Sequence, residues 1–457
     1  MRSVYFIGIG GIGMSALARY YNHAGAFVAG YDKTPSKITA ELEKEGISIH
    51  FEDNTELIPQ EVKSSKEDSL VIYTPAVPSD MGELGFFIAN NFRLIKRSLA
   101  LGEVASSKRT LAVAGTHGKT STSTMLAHIM TSSGVGCTAF LGGISKNYHT
   151  NLLLSKSEFL VAEADEFDRS FLQLWPDTAI ITSTDADHLD IYGNHQSIKD
   201  AFAEFASQVK PEGNLILKEN IEVKAELNKG VKVYKYSFNE GGDFYADNIV
   251  PLQGGYFRFS LVHPKGVIEN CKVGIPGWVN VENAIAASAA ALLNGVEDGK
   301  VREALATFNG VERRFDIHIN TPQIAYIDDY AHHPREISAA ISSIRNIFPG
   351  RKLTGIFQPH LYTRTRDFAD DFAVSLDMLD ELLLMDIYPA RELPIQGVTS
   401  EIIFSKMKLA KKQIVSKGSL LKKVESMEPD ILITFGAGDI DRFIDPLAEM
   451  LKKKYNV

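Results

Sequence analysis

The chain has 457 residues, 44% hydrophobic and 23% charged, with 48 Lys and Arg against 57 Asp and Glu for a net charge of −9. This is the composition of a soluble globular protein with length for about three domains, and its acidic balance gives a nucleic acid or an anionic membrane no electrostatic support. Cys137 and Cys271 form no CxxC pattern, Met1-Arg2 leads straight into a strand, and no apolar run approaches the ~18 residues that span a bilayer. A reducing, cytoplasmic location without membrane insertion is therefore expected.

Val4–Ile9 reads as a buried strand running into Gly8, Gly10, Gly11, Ile12 and Gly13, and Met14–Ala24 is apolar at helical spacing. A GxGxxG turn at the end of a first strand lets a phosphate-bearing ligand approach a helix N-terminus. The next strand, Phe27–Tyr31, ends at Asp32, where a dinucleotide fold places its ribose-binding acid. Taken alone the loop suggests a nicotinamide enzyme, and the glycines could equally serve close strand–helix packing.

A polar stretch at residues 106–109 precedes a second strand-and-loop unit. Leu111–Ala114 is apolar and runs into Gly115, Thr116, His117, Gly118, Lys119, Thr120 and Ser121, followed by a helix-compatible segment. Here glycines let several N–H groups face one anion, Lys119 supplies positive charge for β/γ-phosphates, and the Thr120 hydroxyl can ligate Mg²⁺. The loop reads GxxGKT, shorter than the common P-loop, whose first glycine would fall at Val113. It predicts a nucleoside triphosphate site, so the two loops together suggest two nucleotides in one protein.

Further strands are expected at Phe159–Ala162, Thr178–Thr182 and Asn214–Leu217, then a β-rich region over Asp243–Lys272 and an alanine-rich helix over Val281–Leu293. After the first of these come Glu163, Asp165, Glu166 and Asp168, four carboxylates that need cations or solvent. Glu163, nearest the strand end, is the first choice for Mg²⁺, and the others could be a solvated helix start. After Thr178–Thr182 comes His188 among acids, a candidate metal ligand or catalytic group.

The third unit has expected strands at Ile324–Ile327, Leu353–Phe357, Leu382–Met385 and Ile431–Phe435. Asp328, Asp329, Tyr330, His332 and His333 follow the first, and Gln358, His360, Arg364 and Arg366 follow the second. Arginines suit carboxylate or phosphate, although Arg366 could instead pair with Asp367, Asp370 or Asp371 on a helix surface. The alternation of strands and helices throughout predicts an α/β fold.

These motifs resemble the Mur ligases of bacterial peptidoglycan synthesis over essentially the whole chain. GTHGKT matches the family's ATP loop, Glu163 and the segment Asp187-His188-Leu189-Asp190 its magnesium positions, Asn283 the asparagine on the adenine side of ATP, and Arg314 the arginine at the phosphates. The resemblance implies a three-domain architecture: a Rossmann-like domain over residues 1–107 holding a UDP-sugar through Gly8, Gly10, Gly11, Ile12, Gly13 and Asp32; a P-loop ATPase-like domain over 108–316; and a Rossmann-like α/β domain over 317–457 for the amino acid. GIGGIGMSALA, DDYAHHP, FQPHLYTRTR and DIYPARE resemble the branch that joins L-alanine to UDP-N-acetylmuramate. That branch implies ATP and Mg²⁺, with Lys119, Thr120, Glu163 and His188 at the phosphates and metals. His360 and Arg364 would orient carboxylates, Asp329, Tyr330 and His332 would lie at the nucleotide or acceptor, and the protein would be a monomer or homodimer.

Three departures from the family pattern stand out. Leu361 occupies a position usually held by Arg, leaving one carboxylate contact missing or supplied by Arg366. Val279-Asn280 replaces a His-Asn pair. The segment Phe202-Ala203-Glu204 implies no carbamoylated lysine, with Lys199 an exposed helix residue. The alternatives are the recycling ligase that attaches a tripeptide, folylpolyglutamate synthetase, whose loop continues Gly-Lys-Gly-Ser, a nicotinamide dehydrogenase and a regulatory ATP switch.

Overall fold

Three sheets follow one another along the chain. The computed structural model describes residues 2–64, 66–185, 189–390 and 392–457, with the backbone alone at 189 and 190. The first sheet contains β1 (Ser3–Ile7), β2 (Phe27–Tyr31), β3 (Ser48–His50), β4 (Ser69–Tyr73) and β5 (Arg93–Lys96). Its order is β3-β2-β1-β4-β5 and every pair is parallel. Strand alternation sends Val4 and Phe6 into one apolar cluster and Tyr5 and Ile7 into another, so β1 is buried on both faces, as a parallel sheet requires.

β1 stops at Ile7, two residues short of the expected Ile9. Gly8 takes φ +88, and the N–H groups of Gly8 and Ile9 both turn onto the Tyr31 carbonyl at 2.8 and 3.0 Å. Only glycine enters that backbone region cheaply. The chain then starts a helix over Ile12–His23 capped by Gly11.

Arg19 anchors that helix. It is 8% exposed, and its Nε, Nη1 and Nη2 donate to Glu45, Asn151 and Glu41. Asn151, fully buried, donates in turn to the Ile12 carbonyl at 2.6 Å and to Ser15 Oγ at 2.9 Å.

The ten-stranded second sheet contains β6 (Arg109–Ala114), β7 (Thr138–Ser145), β8 (Thr150–Leu153), β9 (Phe159–Glu163), β10 (Thr178–Ile181), β11 (Asn214–Lys218), β12 (Lys232–Ser237), β13 (Phe244–Pro251), β14 (Phe257–His263) and β15 (Gly266–Lys272). Its order is β15-β14-β13-β12-β11-β10-β6-β9-β7-β8. β14, β15 and β8 attach through antiparallel pairs, so the β-rich region foreseen over Asp243–Lys272 extends a parallel sheet. The alanine-rich helix, Trp278–Leu293, packs on the helix Lys119–Ser132, which buries Thr120, Thr122, Ser123, Thr124 and Ala127 together with Met125, Leu126, His128, Ile129 and Met130.

The third sheet contains β16 (Asp316–Asn320), β17 (Ala325–Asp329), β18 (Leu353–Phe357), β19 (Glu381–Met385), β20 (Lys412–Val415) and β21 (Ile431–Phe435), in the order β16-β17-β21-β18-β19-β20. Only β16 is antiparallel to its neighbour. By contact density the first two sheets form one unit, with residues up to Pro251 and Tyr256–Gly310, and the third sheet belongs to a second unit of Leu252–Gly255 and Val311–Val457. Cys137 and Cys271 are free and buried, and burial pushes their thiols up to about 12 and about 11.

One buried acid, on the helix Gly82–Ala89 and bonded to Tyr5 of the first sheet, carries a pH prediction. Glu83 is fully buried, accepts from Tyr5 Oη at 2.7 Å and from the Asn54 N–H at 3.2 Å, and its carboxyl is pushed up to about 7 by burial. The unfolded chain ionises this group near its ordinary value of 4.5. Its contribution to stability is therefore full below that pH and is lost as pH rises towards 7. Glu83→Gln should match the wild type in urea unfolding at pH 4.5 and exceed it at pH 8, by up to about 3 kcal/mol. An equal gap at both pH values would refute the assignment.

Candidate functional site

The loop Gly115–Ser121 lies where three adjacent parallel strands end. β10, β6 and β9 are neighbours, and their carboxyl ends deliver Thr182, Gly115 and Glu163 to one edge. Gly115 has φ +132, and a Cβ there would lie 2.1 Å from Thr182 Oγ1 and 2.8 Å from the Ser183 N atom. Gly118, at φ +80, caps the helix Lys119–Ser132, and Asn283 Oδ1 lies 3.1 Å from where its Cβ would be. Asn283 thus packs beside the loop itself.

Ser183 braces the loop. Its hydroxyl meets Thr116 Oγ1 at 2.8 Å and accepts from the His117 N–H at 2.7 Å, while the Asp185 N–H donates to Thr116 Oγ1 at 3.1 Å. His117 Nε2 lies 3.7 Å from Asp185. Ser183 and Asp185 were not singled out from the sequence, because hydroxyl-to-loop bracing has no spacing signature.

Lys119 donates to the Gly115 carbonyl at 2.7 Å and to Glu166 at 2.8–2.9 Å, and Glu166 is 1% exposed. Burial alone would lower the Lys119 pKa, but Glu166, Asp165 and Glu163 outweigh it and raise it, so the ammonium stays charged. The crowded acids are distributed among cations: Glu166 faces Lys119, Asp165 lies 3.5 Å from Arg97, and Asp168 lies 2.9 Å from Lys96. The solvated-helix alternative fails for Glu166, which is buried, while Asp165 and Asp168 are partly exposed at the start of a short 3-10 helix, Phe167–Gln173, that is kinked where Asp168 and Arg169 have positive φ.

Glu163 closes β9, and a Cβ on Gly142 of β7 would sit 2.1 Å from its Oε2, so the missing side chain at 142 makes room for this carboxylate. Among the described residues no three His, Cys, Asp or Glu converge as a ready metal cage. A hydroxyl from Thr120 and the Glu163 carboxylate are a donor set that suits Mg²⁺, which completes its shell with phosphate and water. His188 and Asp187 lie outside the described residues. Lys199 is exposed on the helix His195–Ser207, as expected.

In the first sheet the loops after β1, β2 and β4 meet. The Gly10 N–H donates to Asp32 Oδ2 at 2.8 Å, the Thr34 N–H donates to Asp32 Oδ1 at 3.2 Å, and a Cβ on Gly8 would lie 2.6 Å from Thr74 Cγ2. Asp32 therefore ties two loops together. Gly13 lies against the side chain of Arg97, a residue that sequence reasoning missed.

The second unit gathers its candidates at the ends of the neighbouring strands β17, β21 and β18. The guanidinium groups of Arg313 and Arg314 lie 5.2 and 4.9 Å from the Tyr330 ring centroid. His332 lies edge-on to His360 with centroids 5.9 Å apart, and His360 stacks on Tyr388 at 5.8 Å. Burial pushes the Asp329 carboxyl up to about 7 against Arg314 and the N–H donors of Ala331 and Phe315. Asp328 is buried, accepts from Arg313 and Thr434, and supports the strand end.

Leu361 is 6% exposed at φ +70, ψ 138, a costly conformation for a branched side chain. It is fixed by its N–H on Tyr388 O at 3.0 Å and its carbonyl under Thr365. Arg366 pairs with Asp367 at 2.7 Å on the surface, the arrangement foreseen as its alternative role. His333 caps the helix Pro334–Ile347 through its side chain, with Glu336 completing a capping box.

Comparison with known proteins fits this arrangement. Residues 3–109 match the family model described as Mur ligase family, catalytic domain; residues 113–291 match Mur ligase middle domain; and residues 313–438 match Mur ligase, glutamate ligase domain. A UDP-N-acetylmuramate–L-alanine ligase of Parabacteroides distasonis is 53% identical over 453 residues, 99% of this chain and 98% of that one. The chain belongs to the Mur ligase family.

A ligase of the same name from Porphyromonas gingivalis W83 is 51% identical over 455 residues, 99% of each chain. The crystal structure of UDP-N-acetylmuramate–alanine ligase from Thermotoga maritima superposes on this Mur ligase with a TM-score of 0.83 at 28% identity, covering 99% of this chain and all of that one. The α/β fold and three-domain Mur ligase architecture are thereby those expected from the sequence.

Proposed function

We propose that this Mur ligase joins L-alanine to UDP-N-acetylmuramate at the expense of ATP, the first peptide-adding step of cytoplasmic peptidoglycan precursor synthesis. The observation that carries the reading is full-length identity of 44–53% to ligases of that name, on a chain whose ATP loop holds a charged Lys119 between Gly115 and a buried carboxylate. The domain limits we assign are residues 1–107 for the UDP-sugar, 108–316 for ATP and 317–457 for the amino acid.

A carboxylate is a poor electrophile. Transfer of the γ-phosphoryl from ATP to the muramoyl carboxylate yields an acyl phosphate and ADP. The alanine amine then attacks the acyl carbon, and the tetrahedral adduct loses a proton and expels phosphate. Lys119 offsets charge on the transferring phosphoryl, and the loop N–H groups and helix N-terminus hold the remaining oxygens. Thr120, Glu163 and His188 would hold Mg²⁺, which supplies charge neutralisation at the phosphates. Asn283 and Arg314 would hold the nucleotide, and His360 and Arg364 the two carboxylates. Asp329, Tyr330 and His332 would frame the nucleotide or the acceptor. Buried Leu361 offers no second guanidinium beside His360, and Arg366 is engaged with Asp367, so Arg364 would carry that contact.

Phosphate release from ATP with Mg²⁺ tests the reading. Release should require UDP-N-acetylmuramate and be fastest with L-alanine among L-alanine, glycine, L-serine and the tripeptide. Release with tripeptide alone would assign the protein to the recycling branch, and release indifferent to any amine would leave an ATPase.

A further inference from the structure

One arginine lies on the helix Ile12–His23 and another lies against it, and they are used differently. Arg19, on its body, has Nε and both terminal nitrogens committed to Glu45, Asn151 and Glu41. Arg97, at the start of the helix Arg97–Ser106 that follows β5, lies across the first turn. A Cβ on Gly13 would stand 2.8 Å from its Nη1 and 3.1 Å from its Cδ. Among the described residues its one hydrogen bond is a long contact, 3.5 Å, from Nη2 to Asp165. Its side chain is 20% exposed and Asp165 36%. A guanidinium with most of its donors uncommitted thus lies against Gly13 at the end of the glycine loop.

We propose that Arg97 is a ligand for the diphosphate of the nucleotide-sugar, exchanging the weak Asp165 contact for phosphate oxygens when the substrate binds. This rests on the reading of the Gly8–Gly13 loop as the UDP-sugar site. The planar fork can span two phosphate oxygens, which a lysine cannot. Gly13 is then glycine because a side chain would push Arg97 aside, in addition to any need of the helix. The chain's acidic balance also demands such a local cation for a doubly charged ligand.

The test is binding of UDP and of uridine to the full-length protein, with ATP as a control. Arg97→Gln should weaken UDP about 30-fold while uridine and ATP stay within about twofold, and Arg97→Lys should fall between. Retained uridine binding also shows that the variant is folded. Gly13→Ala should weaken UDP in the wild type but add little in the Arg97→Gln background, because both changes remove the same contact. Equal loss of UDP and uridine, unchanged UDP binding, or additive effects of the two substitutions would overturn the proposal. A wild type that binds ATP but not UDP would instead sink the UDP-sugar reading of the loop.

Discussion

Lys119→Ala should abolish ligation, lowering phosphate release by roughly 10³-fold or more, while UDP-sugar binding stays nearly intact. The variant removes the cation we propose for the γ-phosphoryl, yet Lys119 also neutralises Glu166, which is 1% exposed and 2.8 Å away. Removing the cation of a buried pair costs up to about 3–5 kcal/mol. The single variant should therefore be destabilised as well as inactive. Lys119→Ala combined with Glu166→Gln should recover most of the stability and none of the activity. If the double variant regained turnover, the role of Lys119 at the phosphates would be wrong. If UDP-sugar affinity fell with activity, the assignment of two separate nucleotide loops would fail.

A candidate site carried by contiguous residues was legible in the sequence, and contacts assembled from separate segments were not. Gly115, Gly118, Lys119 and Thr120 declare themselves because a tight turn, a cation and a hydroxyl must follow one another to embrace a phosphate. Glu163 was readable as a strand-end acid, and Asn283 and Arg314 through family resemblance. Ser183 and Asp185 brace the loop from β10. Their role depends on β10 lying beside β6, a neighbour relation no local pattern encodes. Arg97 meets Gly13 only because β5 and β1 end on the same edge of one sheet, two strands apart. The first strand was read two residues too long because Gly8 and Ile9 look apolar, whereas the left-handed turn at Gly8 had already ended the ladder. The exposed pairing of Arg366 with Asp367 was foreseen as an alternative, since adjacent opposite charges on a short helix need no tertiary information.

The metal assignment leads to a second large effect. Glu163→Gln keeps the shape of the side chain and removes its charge, so it should lower turnover roughly 10²-fold and raise the Mg²⁺ concentration for half-maximal rate by about tenfold. Binding of ATP in the absence of Mg²⁺ should change little, because Lys119 remains charged through Glu166 and Asp165. Gly142→Ala reaches the same carboxylate from the neighbouring strand. A Cβ at 142 would lie 2.1 Å from Glu163 Oε2 and 2.4 Å from its Cδ, so the carboxylate must swing away while its charge is retained. Both variants should therefore share the raised Mg²⁺ requirement, and in Gly142→Ala excess Mg²⁺ should restore more of the rate than in Glu163→Gln. A loss of turnover in both with an unchanged Mg²⁺ dependence would make Glu163 a structural support of the β7–β9 edge and not a metal ligand.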